Sequence, residues 1–167
     1  KYKNILLVLV VAPFFCSFIL RVIAWKQILG QEGPLFRLLL DLHLVSASTR
    51  LTATAGAVVI GLAYNFLPFM TLPLYSSLER IDPRTLEASG DLYANAWTTF
   101  RKVTLPLSMP GVVAGTLLTF IPATGDFVNA EILGNPGTTM LGNVINAQFL
   151  NTLNYPLAAT LSFILMI

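Results

Sequence analysis

Two carboxylates, Asp126 and Glu131, stand in an apolar run, "PGVVAGTLLTFIPATGDFVNAEI", residues 110–132. An ionisable group inside a membrane span is costly and by default marks a functional position. Thr119, Pro122 and Asp126 fall at i, i+3 and i+7, one face of a helix. Glu131 lies five residues beyond Asp126, so an unbroken helix turns it away, and Gly125 can loosen the backbone between them. In the preceding apolar run, Asn65 and Phe69 are i, i+4 neighbours beside Pro68. An amide, a ring face and a freed carbonyl together suit the lining of a path. No Lys or Arg occurs in residues 51–75 or 110–132, which favours a cationic ligand. The plainer alternative is that the aromatics pack the bundle and that Glu131 is an interfacial, solvated acid. No metal ligand set is legible: His43 is the only histidine, expected on an interfacial surface, and Cys16 the only cysteine, expected as a small buried hydrophobe.

These residues need helices to hold them. The chain is 55% hydrophobic and 11% charged, with a mean hydropathy of +0.73, where a soluble domain carries about 25% charged residues. The net charge of +2 gives no footprint for nucleic acid. The composition predicts an all-α, polytopic transmembrane bundle. Spans are expected at about 4–24, 51–75, 110–132 and, incomplete, 155–167, with external segments at 25–50 and 133–154. Arg21 sits near one end of the first span, where a long side chain snorkels to the interface. Pro34 should open a short interfacial amphipathic helix. Asn65, Pro68 and Pro73 predict a kink or break in the second span, and Gly111 and Gly115 form a GxxxG expected to pack helices within the bundle. Residues 134–154 read as a partly ordered loop. The chain starts at Lys1, and the last run of 13 residues reaches only about 20 Å. Both features predict an interior piece of a longer protein. Six cations (Lys1, Lys3, Arg80, Arg84, Arg101, Lys102) on one side against four on the other (Arg21, Lys26, Arg37, Arg50) place residues 76–109 on the cytoplasmic side.

Residues 79–106 break the pattern of spans. Asp82 is a good N-cap, Pro83 stands at N1, and Ile81 with Leu86 occupy the positions of a hydrophobic staple. Leu86, Tyr93, Trp97 and Phe100 then recur at roughly helical spacing, and the segment should stop at Leu105-Pro106, with Pro110 opening the next span. An aromatic-rich amphipathic stretch leaves apolar surface bare unless something covers it. A docking segment is therefore favoured over a solvated connector.

Glu87-Ala88-Ser89, followed at fixed spacing by Val103-Thr104-Leu105-Pro106, resembles the EAA loop of ATP-binding-cassette (ABC) importer permeases. That pattern is Glu-Ala-Ala, three residues, Gly, nine residues, Ile-x-Leu-Pro. Ser89 and Val103 are mild departures. Tyr93 stands at the position of the pattern's Gly, where a turn at φ > 0 is sterically costly for any other residue. The flanks "YNFLPFMTLPLYSSLERID" and "FIPATGDFVNAEILGNPGTTMLGNVINAQFL" are similar to the spermidine/putrescine branch of these permeases, and relatives moving ferric ion or aminophosphonate share much of them. The resemblance implies a bacterial inner-membrane permease subunit, not an enzyme, with Glu87, Ala88, Ser89, Tyr93, Trp97, Leu105 and Pro106 coupling to separate ABC ATPase subunits. The same resemblance implies a second permease subunit, a periplasmic substrate-binding protein and lipid as partners, and alternating access for polyamines. Asp126, Glu131, Asn65, Phe69 and Thr119 are the pathway candidates. This chain has no GxxxxGK[ST] loop, so ATP and magnesium would sit on the ATPase and no cofactor or metal on this chain. Rival readings are a secondary transporter or channel needing no ATPase, and a membrane anchor without a pathway.

Overall fold

The computed structural model describes residues 2–46 and 48–166, with side-chain surroundings from residue 5 onward. Lys1, the Lys3 side chain and Ile167, which entered the charge count and the last span, lie outside the described residues. Ten α-helices follow in order among the described residues, with no strand: α1 (Tyr2–Val11), α2 (Phe18–Leu29), α3 (Pro34–Asp41), α4 (Ala55–Glu79), α5 (Pro83–Asp91), α6 (Ala96–Thr99), α7 (Leu105–Gly125), α8 (Val128–Leu133), α9 (Leu141–Asn146) and α10 (Tyr155–Met166). Two stretches, Ala55–Glu79 and Ala96–Gly125, are long and apolar enough to cross a membrane. At 1.5 Å per residue they run to about 37 and 45 Å, against a hydrocarbon core of about 30 Å.

The expected first span, 4–24, is not one helix. A 3-10 turn, Ala12–Phe15, follows α1, and Cys16 and Ser17 are extended, with ψ of 155° and 137°. The helical runs on either side are bent by 100°, as a broken span or a re-entrant loop. Pro13 stands in the first turn of this 3-10 segment, where it removes a backbone donor and weakens the helical ladder at the break. Cys16 lies at this break and is exposed, not buried. Arg21 does not simply reach outward. Its guanidinium lies 4.2 Å from the centre of the Phe14 ring, with Nε and Nη1 buried and unpaired among the described residues.

The second span starts and ends later than residues 51–75, and it is unbroken through Pro68 and Pro73. Thr54 sets its start: the Ala57 N–H donates to Thr54 Oγ1 at 3.1 Å, and Ala53 just before it sits at φ 58°. The third span also departs from expectation. Leu105-Pro106 does not end a helix. A π turn, Phe100–Thr104, carries α6 into α7, with the Leu105 N–H bonded to the Phe100 carbonyl. The wide turn sits where Pro106 would otherwise clash with the carbonyl four residues back. At its far end α7 stops at Gly125, not at 132.

The chain divides into two compact units. Residues 1–66 and 121–167 form the first, whose buried core is Val22, Leu29, Ala57, Val58, Ala130 and Leu133, flanked by Phe18, Trp25 and Leu62. Gly61 is required there, because a Cβ would meet the Leu133 side chain and lie 2.7 Å from Asn129 Oδ1. Residues 67–120 form the second. In it the Gly111/Gly115 pair lets α7 lie against α4: a Cβ on Gly111 would be 2.7 Å from the Pro73 carbonyl oxygen, and one on Gly115 would be 2.7 Å from Met70 Sδ. The GxxxG thus packs two helices of one chain.

Candidate functional site

The second unit carries the exposed hairpin of residues 79–106. Asp82 caps α5 by accepting the Arg84 N–H at 2.9 Å, and Asn95 caps α6 by accepting the Thr98 N–H at 2.8 Å. Between them Tyr93 adopts φ 56°. Its N–H donates to Gly90 O at 2.9 Å, and the Ala94 N–H donates to Ser89 O at 3.1 Å. These two bonds are a Schellman ending of α5, with Tyr93 in the left-handed position that glycine usually takes. The tight turn therefore forms here without glycine. Ser89 is buried, and its hydroxyl donates to Leu86 O (2.7 Å) and lies 2.9 Å from Thr99 Oγ1. The residue that departs from Glu-Ala-Ala thereby ties α5 to the last residue of α6. Thr99 was not singled out from sequence, because its role depends on where the turn sends the chain.

The hairpin presents apolar surface to its surroundings. Leu92 is 81% exposed, Tyr93 98% and Trp97 68%, with Trp97 stacked on Phe100 at 5.7 Å. Glu87 and Ala88 are exposed beside them, Leu105 is half-buried and Pro106 exposed. The arrangement is a capped, hydrogen-bonded corner bearing bare rings and a carboxylate.

The first unit carries both acids. Asp126 lies past the end of α7, so it does not extend the helical face of Thr119 and Pro122. The Asp126 carboxylate is taken up locally. Its Oδ1 accepts the Val128 and Asn129 N–H groups at 2.9 and 3.1 Å, and its Oδ2 accepts the Asn129 side-chain amide at 2.5 Å. It thus caps the first turn of α8, where a negative charge is favoured by the helix dipole. Asn129 is fully buried and in turn accepts from Asn65 Nδ2 at 3.1 Å. Asn65 is itself buried, with Oδ1 unpaired among the described residues. Asn129 was missed in the sequence; the signal for it is the Asp-x-x-Asn spacing just after Gly125, a capping pattern inside an apolar run.

Glu131 differs. It is exposed and lines a cavity of about 350 Å³ between α8 and the segment that follows. That segment is not a partly ordered loop. Residues 141–151 are helical, as α9 and a π turn (Ala147–Asn151). Asn143 anchors them, with Oδ1 accepting the Met140 N–H and Nδ2 donating to Phe127 O at 3.2 Å. Gly142 packs so closely that a Cβ would run into the Gly125 carbonyl. Thr119, on the second unit's part of α7, bonds its hydroxyl to its own helix at Gly115 O and Thr116 O, and Phe69 is 47% exposed on α4. His43 is exposed, with Nδ1 3.1 Å from Asp41 O. No group of three or more His, Cys, Asp or Glu able to hold a metal occurs among the described residues.

The family model of the binding-protein-dependent transport system inner membrane component matches residues 3–167. The spermidine/putrescine transport system permease protein PotB of Haemophilus influenzae is 46% identical over 162 residues, covering 97% of this chain and 57% of the relative. PotB of Escherichia coli K12 is 41% identical over 167 residues, covering 100% of this chain and 61% of the relative. The inner membrane ABC transporter permease protein YdcU of Escherichia coli K12 is 35% identical over 176 residues, covering 98% and 56%. The chain thus spans about three fifths of the length of these curated relatives.

Proposed function

Since the chain belongs to the family of binding-protein-dependent transport system inner membrane components, we propose that it forms part of the path by which an ATP-driven importer moves polyamines across the cytoplasmic membrane. The observation that carries the substrate is the likeness, over nearly the whole chain, to permeases named for spermidine and putrescine. The absence of Lys and Arg from residues 51–75 and 110–132 agrees with a cationic cargo.

Work has to enter from outside this chain, which has no phosphate-binding GxxxxGK[ST] loop. A separate ATPase subunit docks on the hairpin of residues 79–106. Leu92, Tyr93 and Trp97 are the anchors, because large exposed apolar side chains on a rigid turn gain most by being covered. Glu87 and Ala88 flank them, and Ser89 keeps α5 and α6 moving as one body. From there the continuous helix Ala96–Gly125 passes the displacement into the membrane. A second permease subunit completes the pathway, a periplasmic binding protein delivers the polyamine, and lipid surrounds the remaining apolar faces. Asp126, with Asn129 and Asn65, holds the break after α7 in shape beside the path. Glu131 offers an unengaged charge in the first unit, and Phe69 and Thr119 are the pathway candidates of the second.

The test is uptake of labelled spermidine and putrescine into proteoliposomes holding the full permease pair, the ATPase and the binding protein, with ATP inside. ATP-dependent accumulation of either polyamine is expected. An assembled system that hydrolyses ATP and accumulates neither would sink the polyamine assignment.

A further inference from the structure

The cavity beside Glu131 has a lining with a single chemical bias. Among the residues that form it, Glu131 alone is ionisable, Asn135, Asn143, Asn146 and Asn151 supply amides, and Thr138 and Thr139 supply hydroxyls. These polar groups fall into two sets. Asn135, Thr138 and Asn143 are already engaged: Asn135 Nδ2 donates to Ala53 O at 2.9 Å, Asn135 Oδ1 accepts the Gly137 N–H at 2.8 Å, Thr138 closes the same turn, and Asn143 spans Met140 and Phe127. They are the frame. The side chains of Glu131, Thr139, Asn146 and Asn151 make no hydrogen bond within the chain among the described residues. The wall is therefore fixed, while one carboxylate, two amides and the Thr139 hydroxyl keep their full bonding capacity towards the cavity.

We propose that this cavity is a subsite for a primary alkylammonium group, with Glu131 as counter-ion and the side-chain oxygens of Asn146 and Asn151 as further acceptors. An ammonium group has three N–H donors and no acceptor, which matches one carboxylate and two amide oxygens. An anion is repelled by the uncompensated carboxylate. A hard divalent cation prefers several carboxylates and six or more oxygens, and only one carboxylate is present. A quaternary ammonium group has no N–H to give and would need an aromatic cage, and the lining holds no aromatic residue. The volume of about 350 Å³ admits one end of a diamine or triamine. The site lies apart in sequence from Asp126, whose carboxylate is spent on capping α8. The choice of ligand rests on the polyamine reading above, but the binding test below does not depend on transport.

The experiment is equilibrium binding of labelled putrescine and spermidine to the permease pair with its ATPase in lipid nanodiscs, without the binding protein. Saturable binding is expected in the wild type. Glu131→Gln should weaken it about tenfold or more, since a charge-assisted hydrogen bond is lost. Glu131→Asp should restore part of it, and excess tetramethylammonium should fail to compete. Absence of saturable wild-type binding would overturn the proposal, as would unchanged affinity in Glu131→Gln. If Glu131→Gln does not co-purify with the ATPase, Asn146→Ala and Asn151→Ala decide: each should weaken binding severalfold, and unchanged affinity in both would overturn the subsite. Failure of wild-type uptake in proteoliposomes, with this binding intact, would count against the transport reading alone.

Discussion

Replacing Tyr93 by glycine should tighten the hairpin it turns. Tyr93 sits at φ 56° and is 98% exposed, so its ring contributes almost no packing within the chain. A residue with a Cβ held in the left-handed region loses about 1–2 kcal/mol relative to the right-handed one. Glycine removes that strain but has about 0.5–1 kcal/mol more backbone entropy to lose on ordering. The difference leaves Tyr93→Gly more stable locally by about 0.5–1 kcal/mol, or about two- to fivefold in the opening equilibrium. The readout is hydrogen exchange at the amides of Tyr93 or its replacement (bonded to Gly90 O) and Ala94 (bonded to Ser89 O), which the turn protects. Both should exchange about two- to fivefold more slowly in the reconstituted permease pair. Tyr93→Ala keeps the strain and loses the ring, so its exchange should match wild type. If the ring is an anchor for the ATPase, both variants should bind that subunit more weakly, although only one folds better. Faster exchange in Tyr93→Gly would refute the strain argument; equal ATPase affinity in all three would remove Tyr93 from the docking surface.

Asp126 should behave as a cap. Asp126→Ser retains an acceptor for the first-turn N–H groups and adds no donor facing the Asn129 amide, so it should cost less thermal stability than Asp126→Ala, which should lose about 1–2 kcal/mol; thermal denaturation of the purified permease pair separates the two, and equal losses would reject the cap. Gly142→Ala should destabilise the docking of α9 by about 1–3 kcal/mol, because the added methyl meets the Gly125 carbonyl and not a side chain that can move. Faster proteolysis within residues 134–154 would report it, and an unchanged digestion pattern would contradict the close approach.

Much of the local structure was legible because it rests on short-range rules. Asp82 and Pro83 start α5 through backbone sterics and a two-residue hydrogen bond, and Pro34 starts α3 through its fixed φ alone, after an uncapped Gly33. The long apolar runs became α4 and α7 because backbone polar groups in lipid must be satisfied within the segment. The proline signals were less reliable. Pro13 coincides with a broken span, Pro68 and Pro73 lie within an unbroken α4, and Pro106 sits just after a π turn. A proline removes one donor wherever it stands, but whether the helix breaks or absorbs the loss depends on what packs beside it.

The candidate sites divide along the same line. Sequence by itself determined which residues are candidates: the aromatic hairpin with Glu87, and the two acids that stand alone in an apolar run. Those are properties of residue type and spacing. Only the tertiary structure decided what each acid does. The end of α7 at Gly125 turned Asp126 into the cap of α8 and set it against the buried Asn129, itself held by Asn65 from 64 positions away in the chain. The folding of residues 134–154 back over α8 gave Glu131 a walled cavity. The physical reason is that a carboxylate's role is set by which donors reach its oxygens. At Asp126 they come from residues two and three positions on, in a helix whose start only the fold fixes; at Glu131 the cavity left open is the space between segments.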